Sequence, residues 1–226
     1  LSLHDALPIS IATTHTQARY VLPPVIKRFT ARYPKVKLIL RQGSPTQIST
    51  LVTSGEADVA IATEAIDQFH ELILLPCYQW NRCIVVPPKH SLLKLKKLTL
   101  EAINQYPIIT YDFAFTGRSK INQAFESRGL EPNVVLTAID SDVIKTYVEL
   151  GLGIGILANM AFDAKRDKNL RSIDASHLFE PSTTRIGISR NTYLRGYIFD
   201  FIEMFAPHLN HANIQAKLDN SETDTV

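Results

Sequence analysis

Five consecutive side chains, Thr13, Thr14, His15, Thr16 and Gln17, can each make a hydrogen bond, and they stand where a strand-like pattern hands over to a helical one. The stretch reads IATTHTQARY over 11–20. Tyr20, Val21, Leu22, Val25, Ile26, Phe29 and Tyr33 follow at helical spacing. Hydroxyls and a primary amide offer protons without carrying charge. At a helix N-terminus they add to backbone N–H groups and to the positive end of the helix dipole. Such a set can meet the acceptors of a bound ligand without carrying charge of its own. Thr63 follows the strand-like DVAIA, and Thr116 follows PIITYDFAF ahead of a helical pattern. Both lie where ligands bind in open α/β sheets, beyond the carboxyl ends of strands. Taken singly, Thr16 or Thr116 reads as a helix N-cap, Gln17 as a surface residue and Trp80 as a core or interface aromatic.

Other chemistry is absent from the chain. GLGIG (151–155) lacks the third glycine of a dinucleotide fingerprint and opens no helix. Gly151 reads instead as a helix stop, with Gly153 and Gly155 in a closely approached loop and strand. There is no P-loop and no G-x-S-x-G elbow, and SLLK (91–94) meets the S-x-x-K spacing without its supporting motifs. His208 and His211 read as surface residues rather than a metal site. His15, with no carboxylate or serine partner evident nearby, reads as structural or ligand-adjacent rather than as a base. Cys77 and Cys83 match no zinc spacing and no disulfide framework, which fits free thiols in a reducing cytoplasm. No metal, no cofactor and no catalysis are expected.

The elements that must position the threonines alternate. Strand, helix, strand, helix, strand runs through VKLILRQ (36–42), PTQISTLVTSGEA (45–57) and DVAIAT (58–63), the order of a parallel sheet with covering helices. Pro23–Pro24 should kink or restart the first helix. The pattern begins again after LILLPC (72–77), with strands at 83–88, 107–112, 133–139 and 154–157 and helices at 99–106, 116–129 and 141–151. A strand at 183–190 and a helix at 193–209 close it, before a polar tail expected to fray. Two α/β units of about a hundred residues each fit 226 residues. Lys+Arg 24 against Asp+Glu 22 is too balanced to announce nucleic-acid binding, and no apolar run approaches a membrane span.

The stretches IATTHTQARYVLPPVIKRFTARYPKVKL, QGSPTQI, ADVAIATE, LPCYQWNRCIVV, FTGRSKINQAF, DSDVIKTYVELGLGIGILA and EMFAPHL together resemble the effector-binding domain of LysR-type transcriptional regulators. More narrowly they resemble the branch of CysB and Cbl, which controls sulfur assimilation and cysteine synthesis, with LPCYQWNR nearer CysB. The resemblance covers about Ile11 to Leu209, and TTHTQAR joined to TGRS is its most specific part. It implies a periplasmic-binding-protein-like α/β fold of two Rossmann-like subdomains around a ligand cleft. Subdomain I would be 11–77 plus 183–209, subdomain II 78–182, and 210–226 the tail. It also implies an anion site of Thr14, Thr16, Gln17, Thr63 and Thr116, with Trp80 at the crossover tied to inducer response. The effector would be sulfate, thiosulfate or an acetylserine-like compound. The family's winged helix-turn-helix is absent from the chain, and LSLHDALPI (1–9) looks foreign to the domain. Promoter DNA would be reached only through that missing part. RNA polymerase would be a further partner of the full-length protein; a homodimer, and a tetramer when full-length, would be the assembly, in the cytoplasm. A free-standing sulfate-binding protein is the alternative, and an enzyme on the same fold a third reading without supporting motifs.

With balanced charge and no recognition helix, this chain should form no discrete complex with a cysteine-regulon promoter in a gel shift at moderate salt. A sequence-specific, salt-resistant complex would overturn that expectation.

Overall fold

The computed structural model describes residues 7–113, 118–190 and 192–223. The chain runs β1 (Ile9–Thr13), α1 (Leu22–Arg32), β2 (Leu38–Gln42), α2 (Pro45–Thr53), β3 (Val59–Ala62) and β4 (Leu72–Trp80). It continues through β5 (Arg82–Val86), α3 (Leu100–Ile103), β6 (Ile108–Tyr111), α4 (Arg118–Glu126), β7 (Val134–Ala138), α5 (Ser141–Glu149), β8 (Ile154–Ala158) and β9 (Arg171–Asp174). β10 (Ser182–Ser189), α6 (Gly196–Phe205) and α7 (His211–Thr223) complete it. Two compact units result: unit 1, Leu1–Tyr78 with Thr183–Val226, and unit 2, Gln79–Ser182.

Unit 1 is a sheet in the order β2-β1-β3-β10-β4, with β1 parallel to β2 and β3 and with β10 antiparallel to β3. The parallel sheet expected from the alternation is therefore a mixed one. Strands joined by a covering helix run parallel, whereas β10 enters from unit 2 without one. Side chains alternate across the sheet. Ile9, Ile11, Val59 and Ile61 pack with Phe29, Phe201 and Ile202 on one face. Ala12, Ala60 and Ala62 pack under Ile48 and Val52 of α2 on the other. A capping box opens α2, where Ser44 Oγ accepts from the Gln47 amide at 3.3 Å and Gln47 Oε1 accepts from the Ser44 amide at 2.9 Å.

The first helix restarts at its prolines. Residues 15–32 are helical throughout, but Gln17–Val21 is a π-helical turn in which Leu22 N–H donates to Gln17 O. Pro23 and Pro24 cannot donate to the carbonyls a turn earlier, so the wider bond precedes them and α1 begins with them in its first turn.

Unit 2 has the order β7-β6-β8-β5-β9, with β6 parallel to β7 and β8 and with β5 antiparallel to β8 and β9. Its core joins Ile84, Ile108, Ile154 and Ile156 to Ile121 and Phe125 of α4. The three glycines of GLGIG are structural. Gly151 ends α5 at φ +80°, a Cβ on Gly153 would lie 2.4 Å from Pro107 O, and one on Gly155 would lie 3.1 Å from Val148 Cγ2. Lys145, buried on α5, pairs with Asp167 at 3.0 Å and donates to Ala161 O at 2.9 Å, pinning the loop after β8.

Two expectations are corrected at the chain's ends. The first strand starts at Ile9 rather than Ile11, and Ile9 is fully buried. The backbone before it is tied down, since Arg195 donates to Pro8 O at 3.1 Å and pairs with Asp58 at 2.5 Å, while Tyr197 Oη donates to Leu7 O at 2.8 Å. The tail is helical over His211–Thr223, capped by Asn210 Oδ1 on the Asn213 amide at 2.9 Å and docked through buried Ile214. Ile9→Ala should cost about 2–5 kcal/mol by denaturant unfolding, the range for truncating a buried aliphatic side chain. A loss under about 1 kcal/mol, well below that range, would contradict the packing of residue 9.

Candidate functional site

β1 and β3 carry the candidate residues to one place. They pair in the register Thr13↔Ile61, and Thr13 Oγ1 donates to Ile61 O at 3.1 Å across the pair. Being parallel neighbours, they end at the same sheet edge. Thr14–Gln17 leaves that edge from β1 and Thr63 leaves it from β3. Thr14 O accepts from Ala18 N at 3.1 Å, so the amides of residues 15–17 precede the first intrahelical donor and have no partner within the helix. Thr14, Thr16, Gln17 and Thr63 are all buried. No carboxylate is hydrogen-bonded to any of the four among the described residues.

Among the described residues, two polar atoms at this edge have no partner. Thr63 Oγ1 lies in a fully buried residue and makes no hydrogen bond, and neither does the buried Nδ1 of His15. A buried hydroxyl without a partner costs free energy, a cost that an acceptor brought to it would relieve. Gln17 differs. Its Oε1 accepts from Tyr78 Oη at 2.5 Å, and its Nε2 donates to Thr184 Oγ1 at 3.1 Å, leaving one amide proton. Burial pushes the Tyr78 phenol up to about 12, so it remains a donor at any physiological pH.

The remaining candidates belong to unit 2. Trp80 is buried, with the Arg82 guanidinium 5.3 Å from its ring centroid. Arg82 donates to Glu180 O at 2.9 Å and Ser182 Oγ at 2.8 Å, bracing the two ends of the unit together. Thr116 lies outside the described residues. Arg118 after it is buried, donating to Tyr111 O at 3.2 Å and Asn122 Oδ1 at 3.0 Å, with its guanidinium 5.2 Å from the Phe113 ring centroid. Burial lowers its pKa and the nearby Asp112 opposes that shift. Thr110 repeats in unit 2 what Thr13 does in unit 1, donating to Ile156 O at 2.9 Å.

Residues without a place in the site have evident structural work. His208 Nε2 is 2.9 Å from Pro76 O, and His211 stacks on Phe199 at 3.9 Å. Burial raises Cys77 to about 12 and Cys83 to about 11, which makes both thiols unreactive. Among the described residues no cluster of histidine, cysteine and acidic side chains could hold a metal. Sequence reasoning missed Tyr78 and Thr184, because they stand 61 and 167 positions from the Gln17 they hold.

The LysR substrate binding domain profile matches residues 4–210. The HTH-type transcriptional regulator SsuR of Burkholderia cenocepacia is 56% identical over 214 residues, 95% of this chain and 70% of that one. CysB of the same organism is 53% identical over 210 residues, 93% of this chain and 67% of that one. The crystal structure of the cofactor-binding domain of the Cbl transcriptional regulator superposes with a TM-score of 0.91 at 42% identity, covering 96% of each chain.

Thr63→Val should raise the stability of the ligand-free protein, because it removes an unpaired buried hydroxyl at nearly constant shape. About 1 kcal/mol is the scale expected for such a group. A loss of stability on urea unfolding would mean that the hydroxyl has a partner after all.

Proposed function

The chain belongs to the LysR substrate-binding domain family, and on that premise we propose that its unit 1 binds a small anionic effector of sulfur metabolism at the β1–β3 edge. Thr14, Thr16, Gln17 and Thr63 supply hydroxyl and amide donors, together with the first-turn amides of the helix that follows β1. Thr116 and Trp80 complete the proposed set on the strength of the family resemblance. Sulfate, thiosulfate and O- or N-acetylserine are the candidate effectors. In the full-length regulator, occupancy would control promoter binding and transcription through a separate DNA-binding domain. The cytoplasm would be its compartment and a homodimer or tetramer its assembly.

The observation that carries this reading is the Thr63 hydroxyl, fully buried and unpartnered at the edge where the helix begins. The likeness to named transcription regulators along nearly the whole chain counts against a free-standing solute-binding protein. No helix among the described residues is long and apolar enough to cross a membrane.

Thermal shift tests the reading. A ligand that binds only the folded state at a hundredfold excess over its Kd adds about 2.7 kcal/mol. Sulfate needs a chloride control at matched ionic strength, since it also stabilises proteins by exclusion from their surface. Thr63→Val and Thr116→Val should each weaken binding by about 1.5–3 kcal/mol, the scale of one hydrogen bond to a charged group. Thr30→Val is the control, since Thr30 Oγ1 is exposed and donates to Ile26 O at 2.9 Å within its own helix. Unchanged affinity in both site variants would place the anion elsewhere.

A further inference from the structure

We propose that Tyr78 and Thr184 are positioning residues that fix which face the Gln17 amide turns to the effector, and so make the site select hydrogen-bond acceptors. The inference rests on the reading of the β1–β3 edge as an anion site. A glutamine amide is ambiguous by shape: its carbonyl and its NH2 differ little in size but are opposite in polarity. The wrong face would set a carbonyl oxygen against the anion and cancel a donor.

The surroundings of Gln17 remove that ambiguity. Tyr78 Oη donates to Oε1 at 2.5 Å and Nε2 donates to Thr184 Oγ1 at 3.1 Å. The Thr184 hydroxyl is in turn a hydrogen-bond partner of Tyr78. The three side chains thus close a ring in which each gives one proton and takes one, an arrangement whose bonds reinforce one another. The contact at the carbonyl is O–H···O and the contact to Thr184 is N–H···O. Chemistry picks this direction, because a phenol is a stronger acid than an alcohol and gives its proton to the better acceptor, the amide carbonyl. Gln17 and Thr184 are buried, so water offers little competition. The carbonyl is thereby occupied, and the proton left over on Nε2 is all that the amide can offer.

The ring is also placed at the ends of the unit. Tyr78 is the last residue of unit 1 before the chain leaves it, and Thr184 is the second after the chain returns. An anion on Gln17 is therefore one side chain away from both connecting strands.

The test uses the full chain, with sulfate as probe and calorimetric titration as readout. Tyr78→Phe and Thr184→Val should each weaken sulfate binding about tenfold, the worth of one neutral hydrogen bond. Thr184→Ser, which keeps the hydroxyl, should stay within about twofold of the parent, a difference well inside one such bond. Nitrogen–proton spectra supply a readout that a merely structural role would not move. In the parent, sulfate should shift one proton of the Gln17 side-chain NH2 and leave the Thr184-bound proton in place. In Tyr78→Phe that asymmetry should be lost, even where thermal melting shows an intact fold. Gln17→Glu and Thr63→Val separate the two levels of the argument. If both bind sulfate as the parent does, the effector reading fails. If both lose it while Tyr78→Phe and Thr184→Val bind within twofold of the parent and keep the split NH2 signals, the positioning role is overturned and the effector site stands.

Discussion

Parallel pairing of β1 with β3 in the register Thr13↔Ile61 decides where Thr14, Thr16, Gln17 and Thr63 lie. Because the strands run the same way, their carboxyl ends share one edge, and the helix after β1 and the turn after β3 must both start there. The pairing is held by packing on both faces. Ile9, Ile11, Val59 and Ile61 press on the α1 and α6 side, while Ala12, Ala60 and Ala62 let α2 approach on the other. A one-residue slip would turn the isoleucines toward α2 and the alanines toward the phenylalanines, which neither face could absorb. Thr13 belongs to this device rather than to the ligand, since its hydroxyl is spent on Ile61 O.

The buried donors at the β1–β3 edge, Thr14, Thr16, Gln17 and Thr63, are neutral, which keeps the cost of burying them low. An uncompensated cation in that position would carry a desolvation cost far above that of a hydroxyl. The cost that remains is local and visible: the unpaired Thr63 Oγ1 and His15 Nδ1. Arg195 meets Asp58 at the other end of β3 and locks the entry to β1, while Arg185 of β10, opposite Ala62, is paired with Asp67 at 3.3 Å.

Much of this was legible in the residues. The strands at 36–42, 58–63, 83–88 and 154–157 and the helices at 45–57 and 141–151 announce themselves by period and stop signals, and the structure places elements at each to within a few residues. β9 escaped because RSID is a short, mostly exposed edge strand with no apolar alternation. α7 escaped because, among its described side chains, Ile214 is the only fully buried large apolar one, although Asn210 marks its start. The direction of β10 depends on a chain that leaves the unit and comes back, which no local window contains. Thr14, Thr16, Gln17 and Thr63 could be singled out because each ends or follows a periodic segment. Tyr78 and Thr184 could not be, because only the folded sheet brings β4 and β10 to the same glutamine.

The second unit repeats the plan of the first, which bears on where its share of the chemistry should be sought. The orders β2-β1-β3-β10 and β7-β6-β8-β5 match strand for strand, two parallel pairs and then an antiparallel one. Thr13 and Thr110 make the same cross-strand bond from equivalent strands. In sequence, the counterpart of Thr14–Gln17 is the segment between β6 and α4, which contains TGRS. Arg118, at the start of α4, is held by Tyr111 O, Asn122 and the Phe113 ring, so its positive charge is already engaged within unit 2.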